Sequence, residues 1–187
     1  MSGQSDFWTM PRGFRIDPAW FDHPSRIHGR GHTLRVMILA GELYRRLLRT
    51  GAGLRPNLYR DLMTAALIHD LGRRHDGLCH EHGRWAGEGK RGIAEDEFLG
   101  SALPEEEWKR IAEAVDAHAR PDPVPPWPRG SLTALLKDAD GLDRVRLRED
   151  PDPAYFRHAF TAEYLGLAKR LLARSEDDLE EELFGPA

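Results

Sequence analysis

The sequence predicts an all-α protein folded as a single-domain helical bundle. Apolar residues recur at three and four positions along most of the chain, which places them on one face of a helix. No segment alternates apolar and polar residues as a half-buried strand does, and Gly and Pro punctuate the helical runs where helices start and stop. With 187 residues, 40% hydrophobic and 31% charged, the chain can bury one sizeable core, and there is no internal repeat to suggest an array.

Leu34, Met37, Ile38, Gly41, Tyr44 and Leu48 set a helix over residues 31–49, with His32 in its first turn and Thr50-Gly51-Ala52-Gly53 as its end. Leu58, Leu62, Ala65, Ala66 and Ile68 set the next over 57–69, started by Pro56 and Asn57 and closed by His69 and Asp70. The polar, glycine-bounded stretch 72–77 predicts a loop, followed by a short helix from Glu81 that carries His82. A helix near 93–99 precedes one over 104–118. There Pro104 suits a first turn, Glu105, Glu106 and Glu107 favour the positive end of the helix dipole, and His118 falls in the last turn. Pro121, Pro123, Pro125, Pro126 and Pro128 exclude a helix and predict an ordered crossover or part of a lid. Leu132, Leu135, Leu136, Ala139, Leu142 and Val145 resume the helical period over 131–147, with Asp140 among them. A further helix over 159–173 leads to an acidic tail, 176–182. Residues 1–24 are expected to be an extension packed on the domain, 25–150 its core, and 151–187 C-terminal helices that complete it.

A net charge of −4 gives no broad electrostatic capture of nucleic acid or of an anionic membrane, so stable binding to either is not expected. The lone Cys79 cannot form an internal disulfide, which suits a reducing compartment. No apolar run is long enough to cross a bilayer, and Met1 to Arg12 lacks the apolar stretch of a signal peptide. The expected setting is cytoplasmic, with a homodimer left open.

Chemistry concentrates in an ordered set: His32, the pair His69-Asp70, His82, His118, and Asp140 within Lys137-Asp138-Ala139-Asp140-Gly141-Leu142-Asp143. Imidazole nitrogens and carboxylate oxygens together hold borderline divalent ions, and facing helices of a bundle can project them to one point. Any one of these residues alone reads more simply as a helix-end polar group. The ordered set does not.

The same order, in the contexts 28–36, 65–73, 82–86, 114–118 and 138–147, resembles the HD-domain superfamily of metal-dependent phosphohydrolases. The resemblance implies an HD-type bundle with His32, His69, Asp70 and Asp140 as ligands of a divalent ion, whether Mn, Mg, Fe, Co or Ni. His82 and His118 would bind a second ion bridged by Asp70, or else a phosphate. Asp143 is expected to orient a ligand from behind, and Asp138 is the alternative to Asp140. Arg73 is the expected phosphate-binding residue, because guanidinium presents a rigid fork of donors. Arg74 reads as a solvated charge or partner of Asp76, while Arg35 and Lys137 each lie one turn from the site. His80 competes with His82, and His23, His28, His75 and His158 rank behind both. Trp8, Phe14, Trp20, Phe21, Trp85 and Trp127 read as core or loop anchors.

The implied activity is hydrolysis of a phosphate ester or phosphoanhydride, on a nucleotide or small phosphorylated metabolite, with Asp70 and Arg73 catalytic. Arg73 stands where some related nucleotidases and guanosine alarmone hydrolases carry an acid, which argues against those two substrates. The other implied readings are a di-iron oxygenase of the same superfamily and a metal- or nucleotide-sensing module without turnover.

Overall fold

A computed structural model describes residues 8–124, 126–148 and 150–186. Among them lie seven α-helices and no strand: α1 (Arg30–Leu48), α2 (Leu58–Ile68), α3 (His82–Gly89), α4 (Glu105–His118), α5 (Leu132–Asp143), α6 (Leu165–Leu172) and α7 (Glu176–Phe184). The described residues are all-α, as the periodicity predicts.

Helix α1 is the central element and packs on α2, α5, α6 and α7. Leu34, Val36, Met37, Leu39, Ala40 and Leu43 have no exposed surface, so α1 is apolar well beyond a single stripe, as befits a helix covered on several sides. Its buried residues join those of α2, α4, α5 and α7 in one contiguous core. Helix α2 starts from Asn57, whose φ of 63° is the left-handed conformation that Asn tolerates better than most residues. Its one buried acid, Asp61, accepts bonds from Arg55 and Arg60.

Helices α3 and α4 are the most closely packed pair, and glycine makes this possible. A Cβ on Gly83 would lie 2.1 Å from the Val115 carbonyl oxygen, and one on Gly87 would lie 3.1 Å from Ala112 Cβ. Backbone therefore meets backbone where larger residues would hold the helices apart, and this proximity brings the start of α3 to the end of α4.

Several expected elements differ in detail. Residues Ile93–Leu99 form a π-helix, and α5 ends at Asp143 before a 3₁₀ turn, Arg144–Leu147. The 159–173 helix is a 3₁₀ turn, Thr161–Tyr164, followed by α6. The acidic tail is helix α7. Ser175 Oγ caps it by accepting from the Asp178 amide, and Glu176, Asp177 and Asp178 occupy its positive end. Leu179 and Phe184 are buried, and Glu180, 1% exposed, accepts from the Ile16 amide and the Arg30 guanidinium. Its apolar residues and one basic residue on α1 fold this run of acids onto the core, as C-terminal helices completing the domain.

Of the N-terminal extension, residues 1–7 lie outside the described residues. Beyond them, Trp8 and Phe14 pack on Phe98, and Phe14 packs on Phe184. In the proline-rich crossover the described positions are non-helical, and Pro125 lies outside them. No helix among the described residues is long and apolar enough to cross a membrane.

Candidate metal centre

Five helix ends converge on one buried point. The first turn of α1 delivers His32, and the residues after α2 deliver His69 and Asp70. The first residue of α3 is His82, the last of α4 is His118, and the third turn of α5 carries Asp140. His32, His69, Asp70 and His82 are at most 3% exposed, while Asp140 is the partly open member.

The imidazoles are held from behind. Nδ1 of His69 lies 2.8 Å from the Ala66 carbonyl, Nδ1 of His82 lies 2.9 Å from the Cys79 carbonyl, and Nδ1 of His118 bonds the Val115 carbonyl. Each acceptor sits three residues earlier in the chain. A carbonyl only accepts, so each of these Nδ1 atoms carries a hydrogen and each neutral ring turns an Nε2 lone pair inward. His32 Nδ1 lies 2.7 Å from Asp143 Oδ2 to the same effect, and Arg35 donates to both oxygens of Asp143.

The inward nitrogens meet in two pairs. His32 and His69 place their Nε2 atoms 3.0 Å apart, and so do His82 and His118. Asp70 stands between the pairs. Its Oδ2 is 3.3 Å from His32 Nε2 and 3.9 Å from His69 Nε2, and its Oδ1 is 3.0 Å from His82 Nε2 and 3.6 Å from His118 Nε2. Asp140 Oδ1 lies 3.4 Å from His32 Nε2.

This donor set fits divalent cations. Two lone pairs facing each other repel unless something positive lies between them. Two nitrogens bound to one ion at about 2.0–2.1 Å stand roughly 3 Å apart when they sit side by side. Nitrogen with carboxylate oxygen is the ligand mixture of borderline metals. One group comprises His32, His69, Asp70 and Asp140; the other comprises His82, His118 and Asp70.

Protonation runs the same way at His69 and His82. Burial pushes His69 down to about 3 and also lowers His82. Burial and Arg146 pull His32 down too, but Asp143 and Asp70 outweigh them and hold it above the ordinary histidine value. Burial resists ionisation of Asp70, yet the imidazoles around it, His69 first and then His118, His28 and His32, hold it well below the carboxylate range. Asp140 is lowered against burial by His32 and Arg146. The lowered His69 and His82 beside ionised carboxylates suit metal uptake, whereas at His32 an ion has to displace the proton that Asp143 and Asp70 favour.

His28, ranked low from sequence, lies at the centre: its Nδ1 is 2.8 Å from Asp70 Oδ2. The available signal was its spacing of one helical turn before His32. Asp138 is not a ligand. Its two oxygens accept from the amides of Arg157 and His158, from His158 Nδ1 and from Thr161 Oγ1. Arg73 lies at the site, where its Nε donates to Asp70 Oδ1 at 2.9 Å and its Nη1 reaches the Gly77 carbonyl at 3.4 Å. Arg74 stacks on Trp85, and Lys137 Nζ donates to the Ala117 carbonyl and Asp122. His80 bonds the Ala119 carbonyl, His23 faces Asp76, His75 accepts from the Gly77 amide, and none of the three touches the centre.

The centre opens on two adjoining cavities of about 590 and 330 Å³ that share His118, Asp140, Arg144 and Leu147. The larger continues past Lys137, Tyr155, Phe156 and Arg157, and the smaller is walled by His28, Arg73, His82 and Arg146.

The chain was compared with known proteins. Neither the curated proteins nor the solved structures contain a match. A family model, that of the HD domain, matches residues 29–146, well over half of the chain.

Proposed function

We propose, from the premise that this chain belongs to the HD domain family, that it is a metal-dependent phosphohydrolase acting on a phosphate ester or phosphoanhydride of a nucleotide or small phosphorylated metabolite. The observation that carries the reading is the position of Asp70, which offers one carboxylate oxygen to each of two facing pairs of histidine Nε2 atoms.

His32, His69, Asp70 and Asp140 hold one divalent ion in this reading, and His82 and His118 with Asp70 hold a second. Bound there, such ions acidify water near neutral pH and polarise a phosphoryl oxygen. The chain supplies the rest. Asp143 and the three backbone carbonyls fix ring orientation, which keeps the ligand atoms aimed before any ligand arrives. Arg73 steadies Asp70 and lines the smaller cavity, where the remaining N–H groups of its guanidinium meet phosphoryl oxygens. Burial of the histidines excludes bulk water and strengthens each of these interactions.

The test is metal content of protein purified without added metal, combined with phosphate release from nucleotides and phosphomonoesters in Mn²⁺, Mg²⁺, Co²⁺, Ni²⁺ or Fe²⁺. Metal-dependent phosphate release is the expected result. Two irons per chain with an optical change on reduction and no phosphate released identify the oxygenase chemistry that the same six residues suit. Nucleotide binding without product identifies a sensing module.

A further inference from the structure

Arg146 is a buried cation whose terminal nitrogens lack an acceptor. Its side chain is 9% exposed, it leaves α5 on the 3₁₀ turn that follows Asp143, and it walls the smaller cavity together with His28, His82, His118 and Asp140. Nε donates to the Ile27 carbonyl at 3.0 Å, which fixes the plane of the guanidinium. Nη1 has no hydrogen-bond partner; its nearest carboxylate oxygen, Asp143 Oδ2, is 3.7 Å away. That oxygen already accepts from His32 and Arg35. Nη2 lies 3.3 Å from His28 Nδ1, but that nitrogen donates to Asp70 Oδ2 at 2.8 Å and has no lone pair to offer. Both terminal nitrogens therefore lack an acceptor among the described residues. A buried guanidinium with unsatisfied terminal N–H groups is costly, and an anion brought to the cavity relieves it.

We infer that Arg146 binds a charged oxygen of the substrate's phosphoryl group, so that the phosphate sits between this guanidinium and the metal-binding histidines. This rests on the phosphohydrolase reading. It also divides a role that the sequence assigned to Arg73 alone. Arg73 gives Nε to Asp70 and chiefly shapes a ligand, whereas Arg146 has a fork of donors to give, and guanidinium is the side chain that meets phosphate in that way. The Ile27 bond holds Arg146 in place when no ligand is present.

The experiment is calorimetric titration of inorganic phosphate into the metal-loaded protein, for the wild type, Arg146→Gln and Arg146→Lys, with metal content and thermal unfolding measured on each. Arg146→Gln is expected to bind phosphate about tenfold more weakly or worse, the scale of losing hydrogen bonds to a charged group. Arg146→Lys keeps the charge without the fork and is expected to fall between, with metal content unchanged in both. If Arg146→Gln does not fold, Arg146→Lys decides. Wild-type phosphate affinity in the folded variants overturns the inference, and so does joint loss of metal and phosphate, because Arg146 then acts only by holding His28 and Asp143. A metal-loaded wild type that neither binds phosphate nor releases it from any ester overturns the phosphohydrolase reading, and this inference with it.

Discussion

Asp70 carries more of the site than any other residue, because its two oxygens serve both histidine pairs while His28 and Arg73 grip them from outside. Asp70→Ala is expected to abolish metal retention and activity together, measured as metal per chain and phosphate release; full activity in a metal-free variant sinks the scheme. Arg73→Ala removes only one grip. It should leave metal bound at lower affinity and reduce turnover, and an unchanged metal dissociation constant contradicts the role drawn from its bond to Asp70. Asp138 is the contrasting aspartate. Asp138→Ala strips acceptors from two amides, an imidazole and a hydroxyl, so a loss of roughly 3 kcal/mol in unfolding free energy is expected, with metal content intact under native conditions. The choice between these two acids was legible only through the family resemblance, since spacing puts both on the same helix. His28 was ranked low because its spacing before His32 does not say that the turn before α1 folds back onto Asp70.

At the scale of elements, the second histidine pair depends on glycine. His82 and His118 meet because α3 and α4 touch through Gly83. Gly83→Ala forces a Cβ into the Val115 carbonyl, which costs on the order of 1–3 kcal/mol if the helices part. The expected outcome is loss of one ion of two, with the His32, His69 and Asp140 group still occupied. Two ions per chain in that variant, counted by elemental analysis, rule out the close approach as the cause of pairing. Helix positions were legible from periodicity and punctuation for α1, α2, α4 and α5, whose apolar stripes are long. Helix α7 was not, because its acids dominate the composition while Leu179, Leu183 and Phe184 supply its packed face.

For the whole molecule, the site is also a clasp. Its candidate ligands come from five helices or their ends, and those helices share one core, so an ion that bound only the folded chain would stabilise the whole of it. Removing metal with a chelator should lower the unfolding midpoint, and re-addition at about a hundred times the dissociation constant should restore roughly 2.7 kcal/mol. A midpoint that ignores the chelator contradicts metal linkage. Which helices neighbour which was beyond the sequence: periodicity gives each helix a buried face but not the partner that covers it. The resemblance supplied what convergence there was to foresee.

The way the rings are held bears on how this protein tolerates change. At Ala66, Cys79 and Val115 the group that holds an imidazole is a backbone carbonyl, which every amino acid possesses. Side chains at those three positions can drift without altering the tautomer of His69, His82 or His118, within the limits of packing. His32 has no such insurance. Its Nδ1 partner is the carboxylate of Asp143, so a single-codon change of that residue to Asn or Ala unsettles the ring.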